Sequence, residues 1–151
     1  MQNIVVVQGA DMDKRGIEQI EIFGPETLQE INARIEEDAA RLGLSVEIFH
    51  SNSAGEVTAY LADLDQELLI AGIINPAGFT VMDTRIPDVI AAMSLPFYEV
   101  HGSNPASRGI VSNVLPNCRG CVWGFGYAGY GVAMRAIVED QKLRADISGK
   151  V

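Results

Sequence analysis

Short apolar runs alternate with longer amphipathic stretches along this chain. Five of the runs have the length of a β-strand, and the first, Ile-Val-Val-Val, consists of β-branched residues. Continuous apolar runs of this kind are typical of parallel strands that are covered on both faces. The pattern therefore predicts strands at residues 4–7, 44–49, 68–74, 96–100 and 121–125.

The stretches between these strands have the periodicity of helices. In the first stretch, apolar side chains recur at spacings of three or four, Pro25 suits the first turn and Gly43 suits the C-terminal stop. Two Glu–Arg pairs spaced i,i+4 add support on its polar side. The predicted helices are residues 26–42, 55–64, 83–94 and 130–142, and we expect the tail at 143–151 to be frayed.

Strands that alternate with helices predict one α/β domain, residues 1–151, built on a doubly wound sheet of five parallel strands. Ligands of such sheets bind beyond the carboxyl ends of the strands. Loops follow four of these ends, at residues 8–24, 75–82, 101–112 and 124–129. The first loop is longer than a usual connection between a strand and a helix, so we expect residues 9–24 to act as a lid.

Composition restricts the kinds of partner. With 48% hydrophobic and 21% charged residues the chain is globular in character, and its formal net charge of −9 argues against a nucleic-acid-binding surface. No apolar run approaches the ~20 residues of a membrane span, and the start lacks the basic segment of a signal peptide. We therefore expect a cytoplasmic protein without membrane contact. An anionic substrate would need locally placed donors, because the overall field repels it.

Two motifs have functional interpretations that their context weakens. Cys118 and Cys121 form a C-x-x-C pair, but the two histidines lie far away in sequence and the pair leads into a predicted strand. A redox or metal site is therefore the less favoured interpretation of the cysteines. Residues 124–129 match G-x-G-x-x-G, but they follow the last strand, so no dinucleotide-binding βαβ unit can be completed. We interpret these glycines as a tight turn, and we expect neither a metal nor an organic cofactor.

Two strand ends carry the residues that we expect to form the functional site. Asn75 follows the third strand and His101 follows the fourth. The turn through Gly102 and Ser103 can point consecutive backbone N–H groups at an anion, and Asn75 adds side-chain donors. A histidine beside such a cradle suits proton donation to a leaving group on a bound carboxylate. A capping or core position for His101 is the structural alternative.

Several motifs together resemble the type II dehydroquinases, which are small, flavodoxin-like 3-dehydroquinate dehydratases. The resemblance covers nearly the whole chain, and it implies the family's fold and an assembly of trimers into a homododecamer. The motifs are Gln8-Gly9, Glu21-Ile22-Phe23-Gly24 before Thr27-Leu28, Ser51-Asn52-x-x-Gly55-Glu56, Ile74-Asn75-Pro76, Glu99-Val100-His101-x-Ser103-Asn104, and Gly124-Phe125-Gly126 through Gly129-Tyr130.

The resemblance implies that one half of the family's site is retained. His101 matches the histidine that protonates the departing hydroxyl. Asn75 and Ser103 match the asparagine and the amide-bearing serine that hold the substrate carboxylate. Glu99 and Asp88 also fall on family-like positions, and we expect Glu99 to orient His101.

The other half departs from the family. In the family, a tyrosine made basic by a lid arginine removes a proton next to a ketone, and an asparagine in the first loop positions a water that stabilises the enolate. The three matching positions are Phe23, Glu18 and Asp11. Val81 matches the family's histidine that binds the ring hydroxyls. Ser112, or one of its neighbours, matches the arginine that binds them. Phe23 has no ionisable oxygen, so it cannot abstract a proton.

This asymmetry favours a divergent lyase or isomerase that uses acid/base chemistry on a small carboxylate-bearing substrate. His101 would be the general acid/base, and Asp11, Glu18 or Glu21 would replace the missing base. Asp11 is preferred because it lies at a strand end, whereas solvated lid charge is the simpler interpretation of the two glutamates. Arg15 would clamp the carboxylate. The expected substrate contacts are Asn75, Gly102, Ser103, Asp88, Arg15 and Phe23.

Two alternatives remain open. The family's dehydration of 3-dehydroquinate would persist if other groups replaced the missing ones. The chain would otherwise be a catalytically silent protein that binds a ligand or contributes to an assembly. Turnover of 3-dehydroquinate tests the first alternative, and substitution of His101 tests the second.

Overall fold

The computed structural model describes residues 1–149, which form one α/β domain. The strands are β1 (Gln2–Ala10), β2 (Leu44–His50), β3 (Ala71–Ala77), β4 (Phe97–His101) and β5 (Gly120–Trp123). The helices are α1 (Ile20–Phe23), α2 (Leu28–Arg41), α3 (Ala54–Ala62), α4 (Ile86–Ala92) and α5 (Ala128–Ser148). All strands pair in parallel, in the order β2-β1-β3-β4-β5. The predicted fold class is confirmed, and the order reverses between β1 and β3, where a ligand crevice is expected.

Strand β1 shows why the apolar runs are continuous. Ile4 and Val6 belong to the core that includes helices α2 and α5, whereas Val5 and Val7 belong to the core that includes α3 and α4. None of the four is more than 1% exposed. Because both faces of the sheet are covered, each residue of the run contributes to one of two cores, and full burial stabilises the fold by ~1.5–3 kcal/mol per side chain.

Helix α2 packs against this sheet with one apolar face. The Thr27 hydroxyl accepts a hydrogen bond from the Glu30 N–H, and the Glu30 side chain accepts one from the Thr27 N–H, which together form a capping box. Ile31, Ile35 and Ala39 recur at helical spacing and are buried. The cap fixes where the helix begins, and the apolar face fixes how it lies on the sheet.

Strands β1 and β3 extend further toward the crevice than the apolar runs predict, whereas β5 ends at Trp123, before the predicted residue 125. Strand β1 continues through Gln8 to Ala10, and β3 contains Asn75 rather than ending before it. Gln8 and Asn75 are register partners, and both side chains are buried. The sequence pattern places the strand ends too early because Gln8 and Asn75 are polar. Their hydrogen-bond partners allow both to be buried inside the strands.

The predicted lid at residues 9–24 is shorter than expected and is partly packed. Because β1 ends at Ala10, the connection consists of a 3-10 turn at Met12–Lys14 and the single-turn helix α1. The side chain of Met12 is fully buried and Arg15 is only 8% exposed. The part with exposed apolar side chains is therefore limited to residues 17–22.

Helix α5 continues to Ser148, beyond the predicted end at Lys142. An ion pair of 2.7 Å between Arg144 Nε and Asp140 Oδ2, spaced i,i+4, supports this extension. Residues 150 and 151 of the expected frayed tail lie outside the described residues. No helix within residues 1–149 combines the length and the apolar character needed to cross a bilayer.

Candidate active site

A cleft of about 200 Å³ opens at the carboxyl ends of β1, β3 and β4. One wall comes from the connection after β1, and the other comes from the segments that follow β3 and β4. The side chains that give it chemical character are Asp11, Arg15, Phe23, Val81, His101 and Arg108. In a protein of net charge −9, this cleft concentrates cationic donors that an anionic ligand needs.

A larger depression of about 560 Å³ lies at the opposite, amino end of β1. Its ionisable lining residues are Glu47, Tyr60, Asp63 and Asp65, so it carries acidic groups and no cationic one. Such a surface repels carboxylate ligands and holds no histidine for proton transfer. The smaller cleft is therefore the better candidate for a catalytic site.

His101 ends β4 and is 7% exposed. Its Nε2 lies 3.3 Å from Oε2 of the fully buried Glu99. This is within hydrogen-bond distance, but the two groups are not oriented to form a hydrogen bond. The other oxygen of Glu99 accepts a 2.6 Å hydrogen bond from the Ser112 hydroxyl. Ser112 Oγ in turn accepts two backbone N–H groups of the following turn, so this serine holds Glu99 and does not line the cleft.

The backbone after His101 provides three free donors. The N–H groups of Gly102, Ser103 and Asn104 donate to no residue that the structure describes. Arg108 Nη2 donates to Ser103 Oγ at 3.2 Å, which brings a positive charge to the same turn. Consecutive free N–H groups form concave anion sites, so this turn is suited to a carboxylate. His101 and Pro105, on either side of the turn, line the cleft, whereas Gly102 and Ser103 do not.

Arg15 forms part of the opposite wall. Its guanidinium carbon lies 3.7 Å from the centre of the Phe23 ring, and that of Arg108 lies 5.8 Å from the same ring. The ring therefore offers its π-face to two cations. Phe23 takes the position where the family resemblance implies a tyrosine, and its ring supports charged donors instead of supplying a proton acceptor.

Asp11 follows β1 directly and lines the cleft. Its backbone is left-handed, with φ of 72°, and its N–H donates to Asn52 Oδ1 at 2.9 Å. The carboxylate is about half exposed (52%) and lies 3.3 Å from Lys14 Nζ. A non-glycine residue held in this conformation is costly, and such residues cluster at functional sites.

Several residues expected at the site lie elsewhere. Glu18 and Glu21 are exposed on the β1–α2 connection and do not line the cleft. Asp88 is exposed on α4 beside Arg85, at a separate surface depression, so the predicted substrate contact is not made within this chain's own cleft. Val81 does line the cleft and is 58% exposed.

Asn75 is 3% exposed and is bonded on both sides of its amide. Its Nδ2 donates to the Tyr130 hydroxyl at 2.9 Å, and its Oδ1 accepts the N–H of Ala77 at 3.2 Å. The Tyr130 hydroxyl donates onward to Gln8 Oε1 at 2.7 Å. This buried network links α5 to β1 and β3. Asn75 does not line the cleft, but Ala77, which it holds, does.

The two motifs with weak context have structural explanations. Cys118 and Cys121 are free thiols, and burial raises the pKa of Cys118 to about 12, which is the opposite of an activated thiol. Among residues 1–149 no three potential metal-ligating side chains of His, Cys, Asp or Glu converge. Gly124 and Gly126 adopt φ of 90° and 59°, which turn the chain from β5 into α5.

Two residues of interest escape the sequence analysis. Arg108 lies in the loop after β4, so the rule that ligands bind at strand ends could have indicated it. Tyr127 is the N-cap residue that precedes α5, is 8% exposed, and has a hydroxyl group without a well-aligned hydrogen-bond partner among residues 1–149. Tyr127 lies near Arg15 although the two are far apart in sequence, so no local sequence pattern could have indicated this contact.

Comparisons with known proteins agree with this geometry. The family described as "Dehydroquinase class II" matches residues 2–138. The chain is 36% identical over 140 residues to a 3-dehydroquinate dehydratase of Caldanaerobacter subterraneus, covering 91% of this chain and 94% of the relative. It is 37% identical over 139 residues to the enzyme of the same name from Desulforudis audaxviator, covering 90% and 92%. The crystal structure of the type II dehydroquinase from Butyrivibrio crossotus aligns with a TM-score of 0.83 at 28% identity, over 90% of this chain and 97% of that one.

Proposed function

This chain belongs to the dehydroquinase class II family, and we propose that it is a lyase that dehydrates 3-dehydroquinate with rearranged catalytic groups. The observation that carries the proposal is His101, which lines the cleft beside a buried carboxylate and directly precedes three free backbone amides. The named relatives support this reaction more than they support a non-standard one. The supporting geometry is a donor-rich cleft in an otherwise acidic protein.

Substrate binding begins at the turn after β4 in this proposal. The N–H groups of Gly102, Ser103 and Asn104 donate hydrogen bonds to the carboxylate of the substrate, and Arg108, which is hydrogen-bonded to Ser103, adds a compensating charge. Asn75 does not contact the substrate in this proposal. It accepts a hydrogen bond from the Ala77 N–H and thereby fixes the backbone of the cleft wall. The direct carboxylate contact expected for Asn75 is thereby assigned to the turn.

The elimination then needs a base and an acid on this small cleft. Asp11 removes the proton next to the ketone, and the electron pair of that C–H bond moves onto the carbonyl oxygen to give an enolate. When the enolate collapses, a carbon–carbon double bond forms and the bond to the hydroxyl breaks. His101 donates its proton to the departing hydroxyl, which leaves as water, and Glu99 compensates the imidazolium charge.

The direct test is turnover of 3-dehydroquinate by the purified protein, followed by the ultraviolet absorbance of the conjugated ketone product. We expect activity that falls by at least about 100-fold in His101→Asn, since general acid catalysis contributes roughly that factor or more. The other histidine of the chain, His50, ends β2 away from the cleft, so His50→Asn is the matched control. Lack of turnover by the unsubstituted protein would contradict the proposal.

A second candidate is favoured by Val81. This apolar side chain lines the cleft where the family resemblance implies a histidine that reads ring hydroxyls, and Ser112 is bonded to Glu99 instead of facing a ligand. The same acid and base would then act on a smaller hydroxy-keto acid that lacks those hydroxyls. A higher kcat/KM for such an analogue than for 3-dehydroquinate would favour this second reaction, and the reverse order would exclude it as the main one.

We also propose that the chain forms a homo-oligomer, with the trimer-based dodecamer implied by the family resemblance. Large apolar side chains remain exposed on the single chain, among them Ile17, Val81, Val111 and Phe125. Such side chains are buried at low cost in contacts between subunits. Native mass spectrometry measures the assembly directly, and a purely monomeric protein would contradict this proposal.

A further inference from the structure

The Arg15 guanidinium is buried without a counter-ion. The residue is 8% exposed, and its side chain forms no salt bridge with any residue from 1 to 149. The guanidinium carbon lies 3.7 Å from the centre of the Phe23 ring. Buried arginines are normally paired, because an unpaired charge away from water is costly.

The Tyr127 hydroxyl lies beside this guanidinium. Its oxygen is inaccessible to water, and no group among residues 1–149 forms a well-aligned hydrogen bond with it. Burial raises the pKa of Tyr127, and the Glu26 charge adds to the rise, whereas the charge and the N–H donors of Arg15 oppose it. The ring is confined on its other side, since a Cβ added at Gly102 would lie 3.2 Å from Tyr127 Cε1. Tyr127 therefore connects Arg15 to the turn that follows His101.

A buried guanidinium without a counter-ion is rarely accidental, because native proteins contain few buried charges that lack a charged partner. The Tyr127 oxygen faces Arg15 but carries no charge, and Arg15 lines the cleft. An oxygen that becomes negatively charged during the reaction would supply the missing counter-charge.

We propose that Arg15 stabilises the enolate oxygen of the reacting ketone, and that Tyr127 is the positioning residue that holds Arg15 against the Phe23 ring. The inference rests on the proposed function and identifies how the enolate is stabilised in this particular site. The family resemblance implies a water held by an asparagine for this purpose, but that position is Asp11, which acts as the proton acceptor in the proposed function. Arg15 supplies a fixed positive charge for the enolate instead.

The step that the pair accelerates is proton removal, before any water is lost. The C–H bond breaks, its electrons move onto the ketone oxygen, and the proton goes to Asp11, which exchanges it with solvent because its side chain is 52% exposed. In deuterated water this appears as deuterium incorporation into unreacted 3-dehydroquinate. His101→Asn, which lacks the acid for the next step, isolates this exchange from elimination.

The experiment compares this exchange, by mass spectrometry, in His101→Asn and in the double variant His101→Asn/Arg15→Gln. We expect the second change to lower the exchange rate about 100-fold, as for loss of one oxyanion donor, and Arg15→Lys to restore part of it. Unchanged exchange in a folded Arg15→Gln protein overturns the inference while the proposed function stands. Lack of 3-dehydroquinate turnover in the unsubstituted protein overturns both.

Tyr127→Phe provides a second test that does not depend on the folding of the arginine variant. It removes the oxygen that faces Arg15 and keeps the ring, so a purely structural tyrosine would change Tm and leave the chemistry unchanged. We expect exchange and kcat to fall about tenfold, with KM nearly unchanged. Tyr98→Phe, on β4 outside the cleft, is the matched control and should leave exchange unchanged. A Tyr127→Phe protein with unaltered exchange overturns the positioning assignment.

Discussion

The buried Glu99 carboxylate lies 3.3 Å from His101 Nε2, yet the two groups are not aligned for a hydrogen bond. One oxygen of Glu99 is fixed by the Ser112 hydroxyl, while the oxygen facing His101 has no hydrogen-bond partner within residues 1–149. Trp123 stands edge-on to the imidazole, with ring centres 5.4 Å apart. The pair is therefore held at hydrogen-bond distance by its surroundings.

Glu99→Gln tests whether the carboxylate supports proton donation by His101. The amide retains the shape and can still accept from Ser112, but it removes the negative charge beside the imidazole. We expect kcat to fall by about 100-fold with little change in KM, because the loss concerns proton transfer more than binding. Glu47→Gln, at the other end of the sheet, is the control. An unchanged kcat would assign Glu99 to packing alone.

Ser112→Ala tests the support of Glu99 from the opposite side. The substitution leaves one carboxylate oxygen and two backbone N–H groups without their shared partner, in a region that is buried or, for Leu115, partly buried. Unfolding free energy should decrease by about 1–3 kcal/mol, as measured by urea denaturation. Ser107→Ala removes an exposed hydroxyl that donates to Asn104 O, and it should cost less than about 0.5 kcal/mol. Equal effects of the two changes would contradict the importance of Ser112.

The sequence predicts the architecture because apolar periodicity records burial directly. Val5 and Val6 face different cores, and a continuous β-branched run is what such a strand requires. The strand ends are less predictable, since Gln8 is fully buried through a hydrogen bond from Tyr130, which is distant in sequence. Periodicity contains no information about such a partner.

The site is predictable in location and less so in its contacts. His101, Asp11, Arg15 and Phe23 line one cleft because strand ends of a parallel sheet meet at one edge. The stacking of Arg15 on Phe23 and its proximity to Tyr127 depend on how a connection and a helix start pack in three dimensions. No spacing rule relates these residues in sequence. The residue type of Arg15 therefore suggests a mobile clamp for a carboxylate, whereas the structure shows a buried cation.

Cys118 should give the protein a specific alkaline instability. Burial raises the pKa of this thiol from 9.0 to about 12, so the folded state holds the proton more tightly than the unfolded state. The resulting stabilisation is complete below about pH 9 and is lost as the pH rises toward 12. The difference in unfolding free energy between the unsubstituted protein and Cys118→Ala should shrink over this range. Cys121→Ala, at a more exposed thiol, should show a weaker dependence, and a pH-independent difference for Cys118→Ala would contradict the assignment.

Tyr130→Phe and Asn75→Ala distinguish a structural network from a ligand contact. The Tyr130 hydroxyl both accepts from Asn75 Nδ2 and donates to Gln8 Oε1, so its loss leaves two buried groups unsatisfied. Each single variant should lower the unfolding free energy by about 1–3 kcal/mol.

Because the two residues share one hydrogen bond, the double variant should be less destabilised than the sum of the single ones, with a coupling of at least about 0.5 kcal/mol. The KM for 3-dehydroquinate should change less than about tenfold in Asn75→Ala, since the turn at residues 102–104 holds the carboxylate in our proposal. If instead KM rises far more than this while stability is retained, Asn75 itself contacts the substrate, and the cradle extends from the turn after β4 to the end of β3.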